Sequence, residues 1–219
     1  AGAEVLYNEM SPEIYGAAQH NLPLLGVKAV FRNCELRKDN VGEILGDFRP
    51  DLIYLDPARR SAGGSKVFRL GDCSPDLSTL LKPLLERAPR ILAKLSPMAD
   101  ISRLLKELED AAGYPCVSHI HIIGSGGECK ELLIWMDREW TGNYTVKVVE
   151  LGQKGESVIE FTPEEEKTVC PAILSENAVR RIQEDRNFNQ RWMFEPGKAL
   201  MKAGAFSLVS ARGGMFKTG

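Results

Sequence analysis

Apolar positions along the chain fall into short blocks whose spacing alternates between two residues and about 3.6, the periods of strand and helix. Leu52-Ile53-Tyr54-Leu55 is the sharpest block, four apolar residues in a row between Pro50 and Asp56-Pro57. A continuous run of that length predicts a parallel strand covered on both faces rather than an amphipathic helix. Upstream, residues 3–8 predict a strand ending at Asn8-Glu9. Ser11-Pro12-Glu13 then opens a helix with a capping side chain and a proline at the first helical position, running to about Leu25 and stopping at Gly26. Lys28 to Asn33 alternate like a second strand, and Asn40 to Phe48 fit a short helix. Two β-α-β steps are complete within the first sixty residues.

Downstream, Ser74-Pro75-Asp76 starts a helix whose Leu77, Leu80, Leu81, Leu84 and Leu85 recur at helical spacing. Ile91 to Leu95 reads as a strand, and Ile101 to Ala112 as a helix with Ile101, Leu104, Leu105 and Leu108 on one face. Cys116 to Ile123 and Glu128 to Met136 are two strands joined by Gly124-Ser125-Gly126-Gly127, a connection suited to a hairpin. The order describes an α/β fold, a doubly wound sheet with one reversed strand at its edge. Beyond Asp137, Thr145 to Leu151 and Ser157 to Phe161 predict a second hairpin. Pro163 to Lys167 is an acidic segment, Glu176 to Glu184 and Glu195 to Ala203 predict helices, and Gly213-Gly214 and Gly219 follow with no closing element. From about Asn143 the chain either extends the sheet or starts a second domain.

Composition narrows the class. At 219 residues, 43% hydrophobic and 26% charged, the chain suits one good core with a smaller appendage. Leu132 to Met136 falls far short of the roughly 20 residues of a membrane helix. No basic-then-apolar segment opens the sequence. A net charge of −2 removes any global attraction to nucleic acid, so such binding needs a local basic patch. Cys34, Cys73, Cys116, Cys129 and Cys170 show no C-x-x-C spacing, which favours buried thiols in a reducing cytoplasm. His119 and His121 share one strand face, but no third ligand accompanies them, and no metal is expected.

Candidate chemistry gathers at Asp56-Pro57-Ala58-Arg59-Arg60, where a strand delivers a carboxylate, a proline and two arginines to the end at which α/β sheets bind ligands. One reading is an anion-facing loop, the other a proline turn in which Asp56 caps the next element. Arg59, Arg60 and Lys66 either form a basic lip for a nucleic-acid backbone or make salt bridges to Asp72, Asp76 and Glu86. Lys94, at the end of its strand, is a substrate or phosphate contact, a neutraliser of Asp56, or a lysine reaching for solvent. Cys129, within a strand, reads as a packed thiol.

A strand ending in an acidic residue, another ending in Asp-Pro, and a terminal antiparallel hairpin together resemble a class I S-adenosylmethionine-dependent methyltransferase. The segments Asp56-Pro57-Ala58-Arg59-Arg60, Lys94-Leu95-Ser96-Pro97-Met98 and Glu128-Cys129-Lys130-Glu131-Leu132-Leu133 resemble one bacterial family of it. In that family the domain is followed by a small ferredoxin-like domain and a THUMP-like domain. Trp192 to Gly204 looks like the opening of the ferredoxin-like part. The resemblance implies S-adenosyl-L-methionine as cofactor, with Glu9 on its ribose hydroxyls and Met10, Asn33, Cys34 and Asp56 completing the donor site. A strand-end carboxylate suits that task, since it accepts two hydroxyl hydrogen bonds from a rigid position.

By the same resemblance Asp56 and Pro57 orient a target nitrogen toward the methyl group, with Arg59 and Lys94 beside them and Arg59, Arg60 and Lys66 on the substrate. Two departures matter. The amine-directed pattern ends in an aromatic residue where this chain has Arg59, and the enzymes that methylate uracil C5 need a cysteine where it has Leu95. The implied activity is methyl transfer to a nucleobase, with RNA as partner.

The fold's glycine-rich turn after a first strand is missing, and Gly124 to Gly127 precedes a strand-like run where a dinucleotide loop requires a helix. The fold expected from the resemblance is a Rossmann-like class I methyltransferase sheet, mostly parallel with an antiparallel terminal hairpin, N-terminally incomplete, plus a small C-terminal α+β extension. The expected divisions are 1–140, 141–190 and 191–219. Without its central first strand the sheet should be split or re-paired, and donor binding by this polypeptide alone should be poor. The competing expectation is a non-catalytic module of the same fold that holds an anionic partner.

Overall fold

The computed structural model describes residues 2–59, 69–153, 155–170, 173–175, 177, 180, 184 and 194–217. Internal contacts divide the chain into one unit made of Ala1–Ala93, Met98–Val117 and Trp135–Thr141, and another made of Lys94–Pro97, Ser118–Ile134 and Gly142–Gly219. The strands are β1 (Val5–Asn8), β2 (Ala29–Arg32), β3 (Leu52–Leu55), β4 (Ala58–Arg59), β5 (Cys73–Ser74), β6 (Arg90–Leu95), β7 (Val117–Ser125), β8 (Glu128–Asp137), β9 (Thr145–Gly152) and β10 (Gly155–Phe161). The helices are α1 (Pro12–Leu24), α2 (Val41–Leu45), α3 (Leu77–Arg87), α4 (Ile101–Ala112), α5 (Pro163–Thr168), α6 (Lys198–Ala203) and α7 (Phe206–Arg212). None among the described residues is long and apolar enough to cross a membrane.

The described strands fall into separate sheets. β1 and β2 form a parallel pair of their own, and a six-stranded sheet runs in the order β10-β9-β7-β8-β6-β3. This makes β3 an edge strand, and the expectation that both its faces are covered is not met. Leu52 and Tyr54 point to the open face, Tyr54 being 55% exposed, while Leu55 is buried on the other. An interior parallel strand needs cover on both faces, whereas an edge strand with one packed face leaves alternate residues in water. The reversed strand is also not at the edge. β8 lies between β6 and β7. Its end is tied to both neighbours where the Asp137 amide donates to the Cys116 carbonyl at 2.8 Å and the Arg138 amide donates to that of Pro89 at 2.9 Å.

In the first unit the core is carried by α3 and α4, which pack on each other. Asp76 caps α3 by accepting from the Ser78 amide at 2.9 Å. Leu77, Leu80, Leu81, Leu84 and Leu85 are all buried, each stabilising by roughly 1.5–3 kcal/mol. Asp100 caps α4, and Gly113, in the left-handed region at φ 87°, ends it. The α4 stripe buries Leu104, Leu108 and Ala112, leaving Ile101 and Leu105 partly exposed. β3 and β6 pair in parallel with Ile53 opposite Ile91 and Leu55 opposite Ala93.

In the second unit β9 continues the sheet beside β7 in parallel, with His121 opposite Lys147, and β10 pairs with β9 in antiparallel register. Gly126 and Gly127 take φ 60° and 77°, the turn that matches the twist of a tight hairpin. The acidic segment Pro163 to Lys167 is a helix, because Thr162 and Glu165 form a reciprocal capping box that satisfies its first amides. A closing element exists as well, α7, whose Leu208 and Ser210 are buried. The predicted helix over Glu176 to Glu184 lies outside the described residues apart from single positions.

Candidate functional site

The carboxyl ends of β1 and β2 bring Asn8, Glu9, Asn33 and Cys34 together. The ladder closes with the Glu9 amide donating to the Arg32 carbonyl at 3.2 Å. Beyond it, Asn33 Nδ2 donates to the Glu9 carbonyl at 2.6 Å and Asn8 Nδ2 donates to the Cys34 carbonyl at 3.0 Å. Glu9 Oε1 accepts the Ser11 amide at 2.7 Å, placing the carboxylate at the N-terminal entrance of α1. Three predicted donor-site residues thus meet, Glu9 half-buried, Asn33 and Cys34 exposed, with Met10 beside them and 58% exposed. A carboxylate so placed keeps acceptor capacity beyond the Ser11 amide.

At the carboxyl end of β3, Asp56 is exposed and Pro57 half-buried. Ala58 and Arg59 then pair antiparallel with Ser74 and Cys73, which fixes where the arginine loop departs. The Arg59 side chain, Arg60 and Lys66 lie outside the described residues. Asp76 Oδ1 accepts the Ser78 amide at 2.9 Å and the Ser78 hydroxyl at 2.6 Å at the α3 cap.

In the second unit Lys94 faces Glu131, N to O 4.0 Å. Cys129 is half-buried, and burial is the largest influence raising its pKa, ahead of a lowering by Lys202, so it stays a thiol as expected of a packed residue. The prediction of buried thiols holds for Cys73 and Cys116 but fails for Cys34 and Cys170, which are exposed because each lies in a segment outside helix and strand. The rings of His119 and His121 meet edge to face at 6.4 Å. His121 is held below the usual histidine value first by burial, then by Lys147 and His119. Among the described residues no three His, Cys, Asp or Glu side chains gather as for a metal ion. A cavity of about 310 Å³ is lined by Lys82, Leu85, Glu86, Tyr114 and Arg138, none of them a predicted site residue.

Sequence reasoning missed Asn8 and Ser11 at the site, though an Asn-Glu-x-Ser run at a strand-to-helix junction carries the signal. It also misread the use of Gly124. On β7 this residue faces Glu150 of β9, whose Oε1 accepts the amides of Ala199 at 2.7 Å and Leu200 at 3.4 Å and so caps α6. A Cβ at Gly124 or at Gly197 would collide with that carboxylate, so both glycines are there for space.

Among solved structures the chain is similar to a "putative methyltransferase from Porphyromonas gingivalis W83", with 31% identity and a TM-score of 0.70. The match covers 95% of this chain and 48% of that one, so the chain spans about half the length of this relative. A type I restriction-modification system methyltransferase subunit from Streptococcus thermophilus aligns over 94% of this chain and 47% of its own at 12% identity and a TM-score of 0.42, a level from which nothing follows. No protein-family model and no curated protein matches. The α/β architecture with a mixed sheet is therefore one shared with the Porphyromonas gingivalis structure.

Proposed function

We propose that the chain forms much of an S-adenosylmethionine-dependent methyltransferase domain, in the bacterial family whose members continue into ferredoxin-like and THUMP-like domains. One observation carries the reading. Two acidic residues stand just past the carboxyl ends of parallel strands, Glu9 after β1 and Asp56 after β3, in a chain 31% identical over nearly all its length to the "putative methyltransferase from Porphyromonas gingivalis W83". The bound donor would supply a sulfonium-activated methyl group. Glu9 accepts its ribose hydroxyls, with Met10, Asn33 and Cys34 along the adenosine. Asp56 and the Pro57 carbonyl accept hydrogen bonds from the target amino group and aim its lone pair, a placement worth several powers of ten in rate. Arg59, Arg60 and Lys66 receive the acceptor. We propose a nucleobase in RNA, supported by the family likeness and by the concentration of positive charge in this loop of a chain of net charge −2.

Calorimetric titration of S-adenosylmethionine, into this chain and into a version extended upstream by a strand and glycine-rich loop, tests the reading. Binding to the extended form, lost in Glu9→Ala, is the expected result. No binding to either form overturns the enzyme and leaves a module that holds an anionic partner.

A further inference from the structure

We infer that Asn8 and Asn33 form a reciprocal amide clasp that positions Glu9, making Asn8 a positioning residue of the donor site; the inference rests on the proposed function above. The two side chains cross. Asn8 reaches from the end of β1 to the carbonyl of Cys34 beyond β2, and Asn33 reaches from beyond β2 to the carbonyl of Glu9 beyond β1. Between them lies the final ladder bond, from the Glu9 amide to the Arg32 carbonyl. Three hydrogen bonds therefore fix the two strand ends where a two-stranded sheet would otherwise fray.

The clasp acts on the carboxylate through its own backbone. Asn33 holds the Glu9 carbonyl, and Glu9 Oε1 is then set by the Ser11 amide at the start of α1. Asn8 does the same for Cys34, whose backbone borders the site from the other strand. Asn8 donates through Nδ2 to the Cys34 carbonyl, and that bond orients its amide across the two strand ends. Binding groups must be held within about 0.5 Å to work, and a four-residue strand pair cannot do so unaided.

The test uses Asn8→Asp, which keeps the shape but sets an oxygen against the Cys34 carbonyl, beside Glu9→Ala and Val5→Ala. Hydrogen exchange at the Ser11 amide and donor affinity, in whichever form of the protein binds the donor, are both measured. Asn8→Asp should speed Ser11 exchange and weaken donor binding, each about tenfold, whereas Val5→Ala, which thins β1 packing without touching the amides, should spare affinity at an equal loss of Tm. Equal loss of affinity in Val5→Ala assigns Asn8 a merely structural role and overturns the inference. So does unchanged exchange and affinity in Asn8→Asp while Glu9→Ala abolishes binding. If no form binds donor the proposed function falls, and the clasp is judged by exchange alone: faster exchange at Ser11 sustains it, unchanged exchange overturns it.

Discussion

Helices α1 and α3 lie in the same unit, carry similar local signals, and meet opposite fates. Each has a side-chain cap, Ser11 for the 13 residues of α1 and Asp76 for the 11 of α3, and each tolerates an internal proline, Pro23 or Pro83. Yet α3 buries five leucines and α1 buries nothing. Leu24 at the end of α1 is 74% exposed, and Val30 and Ile14 nearby are also open. What holds the first region is the aromatic set Tyr7, Phe31 and Tyr15, with ring centroids 6.1 and 6.3 Å apart, and the hydrogen bonds at the strand ends. Caps and propensity make a helix possible, but burial of a continuous stripe decides how much it stabilises. Glu9, Asn33 and Cys34, the residues of the proposed donor site, fall in the weakly packed region, where local opening is easiest.

The largest break in this contrast should come from truncating the leucine stripe. Leu81→Ala, at a fully buried position, should cost about 3–4 kcal/mol in urea unfolding, while Ile14→Ala in α1 should stay within about 0.5 kcal/mol. Equal costs would mean that α1 is covered in solution.

Alkaline pH separates the regions next. Cys116, in the packed part, is pushed up from 9.0 to about 11 by burial. Because the folded pKa is the higher one, its contribution is complete below pH 9 and is lost as pH rises through 11, amounting to about 2–3 kcal/mol. Urea midpoints between pH 8.5 and 11 should fall in the native chain and fall less in Cys116→Ala. Exposed Cys34 should meanwhile be alkylated at once and Cys116 only on unfolding.

The caps sharpen the comparison at a smaller scale. Asp76→Ala should cost about 1 kcal/mol, since the cap is short and its helix is locked to the core. Ser11→Ala, whose bond to the Ile14 amide is 3.4 Å, should cost about half that by the same measurement. Last, lowering the pH below about 6.5 should weaken the second unit slightly. His121 has a depressed folded pKa, so its neutral form is favoured and stability is lost as pH falls through that value. Lys147→Met, removing one cause, should reduce the loss.

Much of the fold was legible because its signals are short-range. α4 lies where its stripe predicts, and Leu52–Leu55 is a strand with the expected bounds. α5 was passed over because its acidic run has no apolar stripe, and the capping box that forms it is a polar signal. α7 was missed behind terminal glycines, although its Leu208 meets the core. At the site, Glu9 and Asp56 were readable as strand-end carboxylates. Asn8 was not, because its role depends on Cys34, 26 residues away.

The sequence by itself determined where most of the longer strands and helices lie and where the chain turns between them. These follow from sterics and hydrogen bonds within a few residues, which the local chain carries whatever surrounds it. Only the tertiary structure decided that β3 is an edge, that β8 lies inside the sheet, that α1 is uncovered, and that Glu150 caps α6 from a distant strand. Those outcomes depend on which surfaces meet after long loops close, and a face of apolar residues reads the same in sequence whether or not another element covers it.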